Sequence, residues 1–304
     1  MTSDLESPSV TISMATQNSA KTVTRAVMSV LSQDFWNLEL LIFDAASTDS
    51  TPEILKNLAQ RDGRIRLHNH EEKLPWIANA QLGLQRASGD YFMLLDADDY
   101  IAPNYLSHLI KKQRAEHSLG TIGKLLHCDK EGQFVIGHPA FGRVFEFAFA
   151  TRRHVRIHRM ILTPDRYGAV NLLYSLWVTS ELRTIGLWSA DGERIDDDYQ
   201  FCLQALSKGQ IATEPNTWIC RSVVTSLSHD HDVRDLSSEL SFKLSTSHHE
   251  NICDWTYPYL IQIFRFIKDD WKNLMVIIPT LLRIGIATAA LPIRILRKVC
   301  EVRD

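Results

Sequence analysis

The chain has 304 residues, 45% of them hydrophobic and 23% charged, with a formal net charge of -3. That suits one large globular domain or two modest ones, and the near-neutral balance speaks against nucleic acid as a partner. Five scattered cysteines (Cys128, Cys202, Cys220, Cys253 and Cys300) read as reduced thiols, neither a disulfide framework nor a zinc site.

The opening "MTSDLESPSV" is acidic and has no apolar stretch, so a secretory signal is not expected and the expected location is cytoplasmic. "VTISMAT" (10–16) predicts a strand, and "AKTVTRAVMSVLSQ" (20–33) an amphipathic helix. "LELLIFDAA" (38–46) predicts a buried strand. In the following helix Ser50 is a candidate cap, Pro52 suits the first turn and Glu53 completes a capping box. "IRLHNH" (65–70) predicts a third strand, "WIANAQLGLQRA" (76–87) a helix, "YFMLLDA" (91–97) a fourth strand and "PNYLSHLIKKQRAEH" (103–117) another helix. Such alternation calls for a parallel sheet with right-handed crossovers, hence an α/β fold.

Residues 120–180 predict short strands and loops, with "TRRHVRIHRM" (151–160) as a basic, solvated stretch. Arg152, Arg153 and Arg156 are also candidates to meet an anionic ligand. Order returns at "LLYSLWVTSELRTIGL" (172–187). "DGERIDDDYQFCLQALSKG" (191–209) reads as an acidic turn opening a helix that Gly209 ends. Trp177 and Trp188 are candidates to stack on a ligand ring, although Trp177 beside Leu176 and Val178 suits a core better.

From residue 253 the chain is aromatic and then apolar. Arg283, Arg294, Pro279 and Pro292 divide it into pieces shorter than the roughly 20 residues a bilayer span needs. The readings are two amphipathic helices lying in the membrane interface, or a helical pair packed on the domain or on a partner.

In doubly wound sheets, ligands sit outside the carboxyl ends of the strands, where strand order reverses. If the fourth strand lies beside the first, Thr16, Gln17 and Asn18 share a crevice with "DADD" (96–99), and Asp44 ends the second strand at the same edge. Asp96, Asp98 and Asp99 offer hard oxygen ligands suited to Mg²⁺ or Mn²⁺. Helix capping by Asp99 or Asn104 accounts for one acid, not three. An aspartyl phosphatase motif normally follows the first strand and continues into Thr or Val, unlike Asp99-Tyr100 here.

At this point three blocks resemble family 2 glycosyltransferases, which have the GT-A fold. They are "VTISMATQNSAKTVTRAVMSVLSQDFWNLELLIFDAASTDSTPEIL", "GLQRASGDYFMLLDADD" and "LRTIGLWSADGERIDDDYQFCLQALSKG", in the family's order. The resemblance implies a Rossmann-like, mostly parallel sheet flanked by helices. Residues 1–245 would form the catalytic domain, with a nucleotide-sugar half over about 1–118 and an acceptor half over about 119–245. Residues 246–304 would be a helical extension, making peripheral membrane contact through 253–300.

The resemblance places Thr16, Gln17, Asn18 and Asp44 around the nucleotide, Asp44 accepting from the uracil N–H, with Asp49 supporting that loop. It implies Asp96 near the ribose or a metal-bound water, Asp98 as ligand to Mg²⁺ or Mn²⁺, and Asp198 as general base with Asp197 as alternative. It also makes His229 and His231 candidate metal or diphosphate contacts, against a solvated polar loop. Departures from the family's pattern fall at Ala45, Lys73, Pro75 and Gln81, all on the donor side.

The implied reaction is inverting, metal-dependent transfer from a nucleotide-sugar, a UDP-sugar, to a hydroxyl of a glycan or lipid-linked acceptor. A single base opposite the leaving group is enough for it. The rivals are a sugar nucleotidyltransferase, for which "TQNSAKT" is poor in glycine, and a non-catalytic nucleotide-sugar-binding protein.

Overall fold

Leu38–Asp44 is buried at every position, as a strand covered on both faces must be. It is one of eight strands in a computed structural model that describes residues 9–138, 140–162, 170–187 and 197–223. The strands are β1 (Val10–Thr16), β2 (Leu38–Asp44), β3 (Ile65–Asn69), β4 (Tyr91–Leu94), β5 (Tyr100–Ile101), β6 (Gly120–Cys128), β7 (Leu176–Val178) and β8 (Ile211–Ser222). The helices are α1 (Val23–Leu31), α2 (Thr51–Arg61), α3 (Trp76–Arg86), α4 (Tyr105–Glu116), α5 (Arg153–Leu162), α6 (Thr179–Ile185) and α7 (Asp197–Lys208).

One sheet runs in the order β3-β2-β1-β4-β7-β6-β8-β5. Its first four strands are parallel, and the fourth lies beside the first as expected. The second half is mixed. β7 runs against both β4 and β6, β5 runs against β8, and only β6 and β8 pair in parallel. The α/β class therefore holds, while the parallel character belongs mainly to the first half.

Register brings the functional ends together. Thr16 pairs with Asp44, and Asp44 with Asn69. The Leu95 N–H reaches the Ser13 carbonyl at 3.1 Å, so the acids after β4 emerge at the same edge. Two features of the sequence hold them there. Gln33 is buried behind the acid loop, donating to the Ala102 carbonyl at 2.7 Å and accepting from the Leu106 N–H at 3.0 Å. Gly83 lets α3 lie directly on β1, where a Cβ would meet the Ser13 side chain.

Three expectations need correction. Residues 153–162 are helix, not strand and loop; Ile157 and Met160 form a buried face that the surrounding Arg and His residues hide from a composition reading. Arg156 is no solvated loop cation. It is buried, donating from Nε to the Leu206 carbonyl at 2.8 Å and from Nη1 to the Ala150 and Thr151 carbonyls at 2.8 and 3.0 Å. Ser50 sits at the N-cap of α2 but makes no side-chain cap bond; the neighbouring Asp49 takes the Thr51 N–H on Oδ1 at 2.9 Å.

Trp177 is core. It is fully buried, donating to the Leu173 carbonyl at 3.0 Å and packing edge-on against Phe201. Cys128, Cys202 and Cys220 are free, buried thiols, as expected. Trp188, Asp196, His229, His231, Cys253, Cys300, the boundary at 245 and the segment 253–300 lie outside the described residues. Among the described residues no helix is long and apolar enough to cross a membrane.

Candidate active site

The tips of β1 and β2 are tied into one polar cradle. Asp44 is buried, accepting the Ser47 hydroxyl at 2.5 Å and the Ser47 N–H at 3.2 Å. Gln17 donates to the Ala45 carbonyl at 3.0 Å. Asn18 gives its N–H to the Ser47 hydroxyl and takes the Thr48 N–H on its side-chain oxygen, both at 2.8 Å. Asn18 and Ala46 hold left-handed backbone, φ 50° and 55°, a strain that persists only where surrounding contacts over-determine it. Thr16 is buried with no hydrogen-bond partner for its hydroxyl. Asp49 accepts from the Ala20 N–H at 3.2 Å across the cradle. Burial works against its charge, but bonds from Thr51 and Ala20 hold its carboxyl below the usual range.

Thr16, Gln17, Asn18, Asp44 and Asp49 are thus brought to one place. Asp96, Asp98 and Asp99 form a second cluster, each offering a carboxylate oxygen within 4.8 Å of the other two. Hard oxygens so grouped fit a Mg²⁺ or Mn²⁺ ion. Asp96 is heavily engaged: Trp76 Nε1 donates to its Oδ1 at 3.0 Å, and the Tyr174 hydroxyl to its Oδ2 at 2.8 Å. Arg221, near the end of β8, also approaches that Oδ2 at 3.2 Å. Asp99 is 1% exposed, with Oδ1 taking the Ser222 N–H at 2.8 Å and Oδ2 lying 2.8 Å from Arg221 Nη1.

Burial pushes the Asp99 carboxyl up, Arg221 pulls it back, and Asp98 and Asp96 push it further up. None of this is helix capping. Asp99 serves β8, and Asn104, the N-cap of α4, makes no cap bond and instead accepts the Thr217 hydroxyl at 3.0 Å.

Asp198 lies in the first turn of α7 and is half-buried. Burial raises the Tyr174 hydroxyl well above its usual range, and Asp198 is among the charges that add to this, with Asp96 and Asp99. Tyr174 thus bonds Asp96 directly and also feels the charge of Asp198. Asp197 opens the same helix; its side chain lies outside the described residues.

Sequence reasoning missed Trp76, Tyr174, Arg221 and His127. Trp76 and Tyr174 read as ordinary helix and core residues, and Arg221 carried no motif. His127 is the register partner of Arg221 and stacks on His138 at 3.6 Å. Burial, then His138 and Arg221, lower its pKa to about 4, which keeps the imidazole neutral.

A family model described as "Glycosyl transferase family 2" matches residues 11–168, over half of the chain, including both clusters. The chain belongs to glycosyl transferase family 2. Among relatives of this family-2 chain, an uncharacterized glycosyltransferase of Haemophilus influenzae is 33% identical over 125 residues, 41% of this chain and 50% of that one. A Campylobacter jejuni protein, the GalNAc(5)-diNAcBac-PP-undecaprenol beta-1,3-glucosyltransferase, is 33% identical over 106 residues, 34% of each chain. The chain spans half or less of the length of these relatives.

Among solved structures, residues 1–349 of S. aureus TarS align with a TM-score of 0.58 at 17% identity, covering 86% of this chain and 80% of that one. TarS in complex with UDP-GlcNAc aligns at 0.57, with 16% identity and 86% and 71% coverage. At such identity the likeness shows the fold: this family-2 chain is an α/β protein of GT-A architecture.

Proposed function

We propose that the protein is an inverting glycosyltransferase that moves a sugar from a UDP-sugar to a hydroxyl of a glycan or lipid-linked acceptor, in cell-surface polysaccharide or glycolipid synthesis. The observation that carries this is the cluster of Asp96, Asp98 and Asp99 after β4, with Asp96 bonded to Tyr174, whose hydroxyl also feels the charge of Asp198. Family membership supports the reaction class. The UDP-GlcNAc complex of TarS supports the donor class, and the undecaprenol-linked substrate in the name of the Campylobacter relative supports the acceptor class.

In this reading Asp44 accepts from the uracil N–H, Thr16 to Asn18 line the base and ribose, and Asp49 braces their loop. Asp98, with Asp96, holds Mg²⁺ or Mn²⁺. When bound, that ion supplies positive charge to the diphosphate as the glycosidic bond breaks. Asp96 is kept in place by Trp76 and Tyr174 and helps orient the donor. Asp198, with Asp197 as the alternative, takes the proton of the acceptor hydroxyl as it attacks the anomeric carbon. One base opposite the leaving group gives inversion without an enzyme nucleophile. His229 and His231 are further candidates for the diphosphate, and 253–300 for peripheral contact with the cytoplasmic face of a membrane. Residues 1–245 form the catalytic domain in this reading.

The test separates the two acid groups. Asp198→Asn abolishes transfer by at least a hundredfold while UDP affinity with Mn²⁺ stays within about twofold of wild type. Asp98→Ala weakens UDP binding in Mn²⁺ and leaves metal-free binding unchanged. Equal loss of UDP binding in both variants reassigns Asp198, and unchanged binding in Asp98→Ala removes it from the ligand set.

A further inference from the structure

Three carboxylates this close repel one another, and a buried one is costly to ionise without a counter-charge. The protein brings its own cation. Arg221 sits with Nη1 2.8 Å from Asp99 Oδ2 and Nη2 3.2 Å from Asp96 Oδ2, and its guanidinium lies over the Tyr174 ring, 3.5 Å from the centroid.

The quality of these contacts is uneven. Asp99 Oδ1 is fixed by the Ser222 N–H, whereas neither Arg221 Nη1 nor Asp99 Oδ2 makes an aligned hydrogen bond despite their short separation. Asp96 Oδ2 is shared between Arg221 and the Tyr174 hydroxyl. Arg221 therefore meets the acids mainly as a charge. The Tyr174 face is a seat that it keeps if the Asp96 oxygen is taken from it, since a guanidinium over an aromatic ring is itself attracted.

We propose that Arg221 is a built-in stand-in for the divalent ion: it neutralises Asp96 and Asp99 when no metal is bound and yields the Asp96 oxygen when metal binds. This rests on the donor-site reading above. The guanidinium and a divalent cation compete for Asp96 and repel each other across the cluster, so each weakens the other's hold by the same factor. The competition lets the acid cluster stay folded without metal and sets the metal affinity lower than three acids alone would give.

The test is Mn²⁺ titration, followed by the electron paramagnetic resonance of free Mn²⁺, with thermal melting in EDTA and in saturating Mn²⁺, on the full chain. R221Q is expected to bind Mn²⁺ roughly tenfold or more tightly than wild type. Even in the dielectric of water, a unit charge about 5 Å from a divalent ion shifts its binding by that factor. R221Q is also expected to melt lower in EDTA and to recover in Mn²⁺. R221K keeps the charge and is expected to resemble wild type in both. The D99N/R221Q pair removes the buried carboxylate with its partner and is expected to regain stability in EDTA.

Should R221Q fail to fold in EDTA, the same affinity gain is expected between D99N and D99N/R221Q. Equal Mn²⁺ affinity with and without Arg221, or a melting loss that Mn²⁺ does not recover, overturns the stand-in role and leaves the donor site in place. Mn²⁺ binding to none of the proteins, wild type included, overturns both.

Discussion

Glu39 shows how a single buried acid can anchor a sheet. Its Oε1 accepts the Thr11 hydroxyl at 2.6 Å, the Ser88 hydroxyl at 2.6 Å and the Ser88 N–H at 2.9 Å, and Arg66 lies 3.4 Å from Oε2. Burial opposes the charge, but the bonds from Ser88 and Thr11, helped by Arg66, prevail and lower its pKa from 4.5. A carboxylate lowered in this way stabilises the fold fully above its unfolded value. That stability drains away as pH falls from about 4.5 through the lower folded value. Glu39→Gln is therefore expected to lose about 1–3 kcal/mol at pH 7. Its stability between pH 5 and pH 3, read from urea melts, is expected to change less steeply than that of wild type. A parallel slope in the two proteins contradicts this role for Glu39. The residue pins β2 to β1 and to the turn before β4, so it holds together the strands whose tips carry the site.

Elements differ in how openly they announce themselves. The helices α1 to α4 and the strands β1 to β4 follow from local period and turn residues, and the acids at their tips follow from the strand ends. β7 has three residues and is defined by partners far along the chain, Tyr91–Phe92 on one side and Gly120–Thr121 on the other. Arg221 escapes notice for the same reason, since its ion-pair partners Asp96 and Asp99 are over a hundred residues earlier. No spacing rule links an arginine near the end of β8 to acids after β4.

Gly83, by contrast, stood in a recognisable block, and the structure supplies its reason. Any side chain there runs into Ser13 on β1. Gly83→Val is expected to cost about 1–3 kcal/mol through overpacking. Because α3 begins with Trp76, which holds Asp96, it is also expected to weaken UDP affinity in Mn²⁺. A variant that loses stability with unchanged nucleotide affinity separates α3 packing from the site.

At the scale of the molecule, the eight-stranded sheet precedes a stretch of very different composition. The chain as a whole carries -3, yet Arg265, Arg283, Arg294, Arg297 and Lys298 stand among the apolar residues of 253–300. If the acceptor is carried on a lipid, as proposed, membrane binding by that stretch would bring the rest of the chain to it, its apolar residues favouring the interface and its basic ones the anionic headgroups. Each basic residue near such a surface contributes about 1 kcal/mol, screened by salt. The full chain is therefore expected to float with vesicles containing phosphatidylglycerol at low salt and to be released on raising the salt. R283Q/R294Q/R297Q is expected to bind at least tenfold more weakly while melting at the wild-type temperature. A triple variant that floats equally well but melts lower instead assigns the stretch to packing on the catalytic domain. The same substitutions thus decide between the two readings the composition leaves open, because a membrane contact answers to headgroup charge and salt whereas a packed helical pair answers to heat.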